Sequence, residues 1–201
     1  MYARIWVPAV TIATMLFGSS TVLAQQSSEL LRRPLAELQL SNETLQLRYL
    51  SRGEQMGSDR SRIGGTFFLS EERDIVLSAD LMFPAQWDIE RFSILFGPRV
   101  YAALLEDENN DVMSVAVGAE MRLMLHREMG LALSGQAFHA PDILTFGSAD
   151  KLTDLSARIE LAVAPRVVVF GGMRWFEFDL VDNQGERTLQ EELFVGFGYR
   201  L

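Results

Sequence analysis

The stretch SVAVGAEMRLML, residues 114–125, alternates between two kinds of side chain along its whole length. The odd-numbered positions hold only Val, Ala, Met and Leu, whereas Glu120 and Arg122 occupy even-numbered positions in the middle of the run. Successive side chains of a β-strand point to opposite faces of its sheet. The alternation therefore predicts a strand with one apolar face and one face that carries charge.

The same period of two recurs along most of the chain, and helical periodicity is hard to find after Leu35. It is clear in DIVLSADLMF (74–83), LSARIELAVA (155–164) and LQEELFVGFGYRL (189–201). Nine strands are predicted in this way, at 44–51, 62–69, 74–83, 92–104, 112–125, 129–139, 152–164, 166–180 and 189–201. Such lengths are close to the 9–11 residues of a tilted membrane strand and exceed the average soluble strand.

A tenth strand is predicted from LAELQLSNETLQLRYL (35–50), where the apolar phase switches around Ser41 and Asn42 as in a hairpin turn. Bacterial single-chain barrels use an even number of strands, so the pattern favours ten. The alternative is eight, with the stretch before Arg62 forming an arm or lying over one mouth. The predicted fold class is all-β, a closed antiparallel up-and-down transmembrane β-barrel.

The N-terminal stretch has the layout of a secretory signal peptide. Arg4 precedes an apolar run and small residues, and Val22-Leu23-Ala24 resembles a cleavage site. We predict a signal peptide at 1–24, a polar tail at 25–34 and the barrel at 35–201. The chain has no Cys, which excludes disulfides and thiol chemistry. A net charge of −9 argues against a nucleic-acid partner.

The connections differ in character along the chain. Residues 164–166 and 126–129 form short turns, whereas the polar stretches 182–187, 139–151 and 105–112 are longer. Outer-membrane barrels have short turns at the periplasmic end and longer loops at the other end. The sequence thus predicts that the two ends of the barrel differ in loop length.

A soluble barrel turns its apolar faces inward, and a membrane barrel turns them outward. Charges of both signs at mid-strand favour a polar lumen, as do the Gly, Ala and Ser residues beside them. These charged residues are Arg99, Glu120, Arg122, Arg158, Glu160, Arg174 and Glu192. Aromatic residues near strand ends favour girdles at the membrane surface. They are Phe92, Trp175, Phe176, Phe178, Phe197 and Tyr199.

Three runs of sequence resemble the YfaZ family of outer-membrane proteins. They are FGPRVYAALLEDENNDVMSVAVGAEMRLML, GQAFHAPDILTFGSADKLTDLSARIELAVAP and RWFEFDL, followed by the terminal strand. The resemblance covers about residues 70–201 and includes no catalytic motif. It implies an outer-membrane barrel without a settled activity. Outer-membrane barrels usually end on Phe after alternating aromatics, and here Phe197, Tyr199 and Leu201 form the candidate C-terminal assembly signal, with Leu in place of the last Phe.

Few residues suggest catalysis. His139 is followed by Pro141 and Asp142, which makes His139 a candidate general base at the rim with Asp142 as its acidic neighbour. The alternative is a histidine at the membrane interface. The acidic run from Glu106 to Asp111 lacks the Gly and the final Glu of an EF-hand, so no metal site and no cofactor are predicted.

The predicted function is a monomeric outer-membrane barrel with a small lumen filled largely by side chains, in a structural or narrow-channel role. The alternatives are a surface enzyme that acts on lipid through His139, and an apolar-ligand or adhesion barrel. Expected partners are outer-membrane lipid, lipopolysaccharide and the barrel-assembly machinery. Arg122 with Glu160, or Arg158 with Glu120, should form salt bridges in a lumen network that Arg99 and Arg174 join.

Overall fold

The structure is a computed structural model that describes residues 33–52, 61–85, 91–106, 111–180 and 186–201. The predicted signal peptide at 1–24 and nearly all of the tail at 25–34 lie outside these residues. The strands are β1 (Leu35–Leu40), β2 (Thr44–Arg52), β3 (Arg62–Ser70), β4 (Ile75–Pro84), β5 (Phe92–Leu104), β6 (Asp111–His126), β7 (Leu131–Ala140), β8 (Thr145–Gly147), β9 (Ala149–Ala164), β10 (Val167–Leu180) and β11 (Glu186–Arg200). A single 3-10 turn, Asp142–Leu144, precedes β8 in this part of the chain.

The strands form one closed antiparallel barrel. Each long strand pairs with the next long strand along the chain, from β1 to β2 through to β10 with β11, and β1 pairs with β11 to close the sheet. The short β8 lies at the edge of β6, and β7 pairs directly with β9. Ten of the described strands therefore make the wall, which confirms the ten-stranded prediction and shows that the eight-stranded alternative is wrong.

No helix within the described ranges is long and apolar enough to cross a membrane.

The predicted hairpin at Ser41 and Asn42 is confirmed. Leu40 of β1 lies opposite Leu45 of β2, and the Ser41 backbone N–H donates to the Thr44 carbonyl at 3.0 Å. The Ser41 hydroxyl also accepts the Thr44 backbone N–H at 3.0 Å. A serine that bonds to nearby backbone stabilises a tight turn in this way, which explains why the apolar phase of the sequence switches here.

The outer face of the barrel is apolar. Val117, Met121, Ile159 and Leu193 are 61%, 51%, 55% and 72% exposed, and Leu161 is half-buried. Their neighbours one position away along the strands point inward, as Ala116 does with no exposed surface. The barrel therefore has the reverse polarity of a soluble one.

An aromatic layer, formed by Phe68, Tyr101, Phe138, Phe176 and Phe178, fills one half of the lumen. Each of these side chains is at most 1% exposed. The rings of Phe68 and Phe178 both lie 5.6 Å from that of Phe176. The prediction that Phe176 and Phe178 belong to an outer girdle is wrong. They share the even-numbered, inward face of β10 with Arg174, whereas Trp175, between Arg174 and Phe176, points outward.

The barrel has two distinct ends, because Leu35 at the start of β1 lies opposite Arg200 near the end of the chain. We call this the terminal end, and the other the opposite end. Residues 53–61, 85–91, 127–130 and 165–166 connect strands at the terminal end, and residues 41–43, 71–74, 105–110, 141–148 and 181–185 do so at the opposite end. The expected difference in loop length is therefore absent. Strands β9 and β11 begin at Ala149 and Glu186, so they include residues that the sequence pattern assigns to loops.

Candidate functional site: the charged lumen

The interior between the aromatic layer and the terminal end is crossed by ionic side chains from eight strands, which we call the charged network. Each of them occupies a position whose parity turns it away from the apolar outer face. Its described members are Glu37, Arg48, Arg62, Asp80, Arg99, Glu120, Arg122, Asp154, Arg158, Glu160 and Arg174.

Glu120 is the centre of one part of the network. Its carboxylate lies 2.5 Å from Arg48 Nη2 and 3.0 Å from Arg99 Nη2, and it also contacts Arg62. The fully buried Asp80 lies 3.3 Å from both Arg48 and Arg99. Three guanidinium groups from β2, β3 and β5 thus share two carboxylates from β4 and β6.

Asp154 is the centre of a second part. It receives two hydrogen bonds from Arg174, at 2.9 and 3.0 Å, and one from the Tyr101 hydroxyl at 2.8 Å. Arg99 lies 3.3 Å away and so links this part to Glu120. All the partners of this carboxylate are themselves buried, so Asp154 has its charge compensated without water.

Glu160 and Glu37 form the third part, nearer the terminal end. Glu160 accepts from Arg122 Nε at 2.9 Å, from Arg158 Nε at 3.0 Å and from the Ser134 hydroxyl at 2.7 Å. Arg158 extends further to Glu37 of β1 through two bonds of 3.0 and 2.9 Å. The parallel pair of bonds fixes the guanidinium plane as well as its position.

The structure places all six sequence-predicted lumen residues inside the barrel. Of the two alternative pairs, Arg122 and Glu160 are in contact, whereas Arg158 bonds to Glu37 and Glu160 rather than Glu120. Sequence reasoning missed five further members, which share the parity of the ones that it named and could have been found by it. They are Glu37, Arg48, Arg62, Asp80 and Asp154.

Aromatic rings hold the guanidinium groups in place. Arg99 lies 3.7 Å above the ring centre of Phe138, and Arg174 lies 4.4 Å from that of Phe176. Arg158 stacks on Phe170 at 4.4 Å. Cation–π contacts of this kind gain strength when water is excluded, so the aromatic layer and the charged network support each other.

A cavity of about 190 Å³ extends from the charged network to the strand ends at the terminal end. Charged and amide side chains line most of it, with Leu35, Leu50, Leu95, Val168 and Phe194 among the apolar ones. About 10–15 Å³ of such volume is enough for one water molecule. In the described part of the chain, the lumen thus leaves room for small solutes on one side of the network and is filled by side chains on the other.

At the opposite end, Asp74 ties three connections together. Its buried carboxylate lies 3.1 Å from Nη2 of Arg187, at the start of β11, and accepts the backbone N–H of Glu106, which follows β5, at 3.1 Å. Its own backbone N–H donates to the Ser70 hydroxyl. Residues 107–110 of the acidic run that follows Glu106 lie outside the described residues.

The structure does not join His139 and Asp142. The His139 ring is exposed, and its Nδ1 lies 3.4 Å from the Thr153 hydroxyl. The Asp142 carboxylate instead accepts the backbone N–H of Ile143 at 2.8 Å. No hydrogen bond links the two among the residues described, and the same residues contain no cluster of three potential metal ligands.

The residues of the candidate assembly signal share the outer face of β11. Phe197, Tyr199 and Leu201 are 49%, 41% and 52% exposed. β11 pairs with β1 along this stretch, with Phe197 opposite Leu38. The aromatic side chains therefore lie on the outside of the seam that closes the barrel.

These features define a class of protein: a closed β-barrel that is apolar outside and charged inside. The chain belongs to the YfaZ family, whose model, described as YfaZ precursor, matches residues 38–201 and confirms the resemblance. A solved structure described as a KdgM porin in complex with disordered oligogalacturonate is 9% identical, with a TM-score of 0.46. The alignment covers 84% of this chain and 98% of that one, a likeness too distant to carry a functional argument. No curated protein matches the chain.

Proposed function

We propose that the protein spans an outer membrane as a monomeric barrel with a lumen filled largely by side chains, and that its role is structural or that of a narrow channel. The apolar outer face would contact lipid, and a closed sheet satisfies its own backbone hydrogen bonds in hydrocarbon. The signal peptide predicted at 1–24 and the family's description as a precursor support export from the cytoplasm.

The aromatic layer carries this proposal. Phe176 contacts the rings of Phe68, Tyr101 and Phe178 at 5.6, 5.7 and 5.6 Å, so these four rings from three strands meet across the lumen. Small barrels have interiors just wide enough for side chains. A continuous water path through this layer would require the rings to separate, which would expose their surface to water at a cost.

We assign the terminal end to the periplasm, because β1 begins there and β11 ends there, on the side from which an exported chain reaches the membrane. The opposite end, with Glu71, Glu72 and Glu106 exposed, would face lipopolysaccharide. The barrel-assembly machinery would recognise the aromatic side chains of Phe197 and Tyr199 on the outer face of β11. Lipopolysaccharide and the assembly machinery follow as partners from the proposed orientation of the barrel in an outer membrane. The experiment that tests the location of the barrel therefore tests them as well.

The first experiment is membrane fractionation, with the folded state judged by the change in gel mobility of unboiled protein. We expect a heat-modifiable species in the outer-membrane fraction. A water-soluble protein in the periplasm would contradict the membrane assignment.

The second experiment is planar-bilayer conductance of the purified barrel. We expect no steady opening in the nanosiemens range, and larger or more frequent openings after Phe176→Ala, because that change removes the ring that contacts the three others. Phe96→Ala, which shortens an outward side chain, is the matched control. A wide, steady channel in the unaltered protein would refute the filled lumen.

A further inference from the structure

We infer that the cavity at the terminal end is a binding site for a small anion that carries carboxylate or phosphate oxygens. The site is separate from the aromatic layer. The inference begins from an imbalance of charge. Among the described residues that line the cavity, six arginines face three glutamates, Glu37, Glu120 and Glu160.

The imbalance remains when the rest of the charged network is included. Asp80 and Asp154 pair with network arginines, and Arg99 is the remaining member with positive charge. Seven guanidinium groups then face five carboxylates among the residues that line the cavity or belong to the charged network. An excess of positive charge in a space walled by protein costs free energy unless an anion compensates it.

Buried donors without a partner give an independent reason. Gln39 and Arg48 line the cavity and are 5% and 8% exposed. Gln39 Nε2, Arg48 Nε and Arg62 Nε have no hydrogen-bond partner among the residues described. Buried donors in folded proteins are almost always paired, so N–H groups on three strands lack an acceptor that a ligand oxygen could supply.

Two further arginines stand nearer the mouth of the cavity. Arg122 uses Nε for Glu160, and Arg200 uses one terminal nitrogen for the Pro165 carbonyl. Arg122, Glu160 and Glu37 all lie within electrostatic range of Arg200. Arginine presents several donors in one plane and matches carboxylate and phosphate oxygens in pairs. This pair would hold the outer part of the anion, and the deeper donors would hold the inner part.

The test is titration calorimetry of the purified, folded barrel in a neutral detergent and a buffer without phosphate. Inorganic phosphate and citrate are the probes, and glucose is the uncharged control. We expect saturable binding of at least one anion, none of glucose, and weaker binding at higher salt. Binding of phosphate alone would assign a phosphate site, and binding of citrate alone a carboxylate site.

Four variants test where the anion binds. Arg122→Gln and Arg200→Gln should each reduce affinity about tenfold or more, because each removes charge-assisted hydrogen bonds. Arg166→Gln, at the same end but exposed in the turn outside the lumen, should change affinity less than about twofold. Gln39→Leu should weaken binding without lowering the stability of the ligand-free barrel, since it removes a donor that has no partner.

The inference would be overturned if neither anion binds, if glucose binds equally well, or if Arg122→Gln and Arg200→Gln leave affinity unchanged while circular dichroism shows a folded barrel. It would also be overturned if Gln39→Leu binds as the unaltered protein does. None of these outcomes measures conductance, so they do not test the proposed filled lumen. The bilayer experiment tests that proposal separately.

Discussion

Arg174 of β10 and Asp154 of β9 form a two-point ion pair inside the barrel, with Nε and Nη2 of the arginine lying 2.9 and 3.0 Å from the two carboxylate oxygens. Their backbones are not directly opposite, because Arg174 lies opposite Ser156 and Asp154 lies opposite Phe176. The pair is therefore diagonal across the sheet and connects the charged network to the aromatic layer. Both residues are at most 4% exposed.

Asp154→Asn should destabilise the barrel strongly. The substitution leaves the buried Arg174 without its carboxylate, and breaking one partner of a buried ion pair costs about 3–5 kcal/mol. Urea unfolding in detergent, followed by circular dichroism, measures the change. Asp179→Asn on β10 is the control, since its carboxylate lies 3.9 Å from Lys151 at the surface and should contribute within about 1 kcal/mol. Equal losses would contradict the argument.

Phe176→Ala should lower the free energy of unfolding by about 3–5 kcal/mol, because it empties the centre of a close-packed layer. Phe96→Ala removes the same atoms from an outward side chain that is 50% exposed and should cost clearly less. The same unfolding experiment compares the two. A Phe176→Ala variant as stable as Phe96→Ala would show that the rings of the aromatic layer do not pack as described.

Gly172→Ala should destabilise the barrel, whereas Gly65→Ala should leave it unchanged or slightly more stable. A Cβ at position 172 would press on the carbonyl oxygen of Ala157 and lie 2.7 Å from the Cβ of Arg158. A Cβ at position 65 would have no atom within 4 Å, and alanine loses less backbone entropy on folding. Thermal melting of both variants checks the contrast, and equal melting temperatures would count against the strand spacing between β9 and β10.

Asp74→Asn should loosen the opposite end without unfolding the barrel. It removes a charge that holds Arg187 and weakens the link between the β3–β4 turn and the start of β11, at a cost of about 1–3 kcal/mol. Limited proteolysis should then cut the connections at this end faster. Glu71→Gln, which alters an exposed residue of the same turn, is the control, and the protease should cut it at the rate of the unaltered protein.

Phe197→Ser combined with Tyr199→Ser should reduce the amount of barrel assembled in cells more than it reduces folding in detergent, if these rings are recognised during assembly. Val195→Ser alters the same outer face two positions before Phe197 and serves as the control. Heat-modifiable protein in the membrane fraction is measured against refolding yield. Equal losses of heat-modifiable membrane protein and of refolding yield would mean that the two rings act only by stabilising the folded barrel.

Much of the wall could be predicted because alternation is a local property. In residues 114–125 the parity of Glu120 and Arg122 already separates the inner face from the outer one, and the same rule holds for Leu193 and Phe197 on β11. Phe176 and Phe178 also follow the alternation, because their even-numbered positions on β10 turn them inward. The girdle prediction rests on residue type and on nearness to a strand end, although Phe176 and Phe178 share a face with Arg174.

The pairing inside the lumen could not be read in the same way. Glu37 and Arg158 meet although 121 residues separate them, and Arg48 and Glu120 meet across 72. Which charges meet depends on the stagger of the strands around the closed wall, and a single-strand pattern contains no information about stagger. The amino-acid pattern therefore decided which side chains point inward. Only closure of the barrel decided which of them touch, and which donors were left facing the cavity.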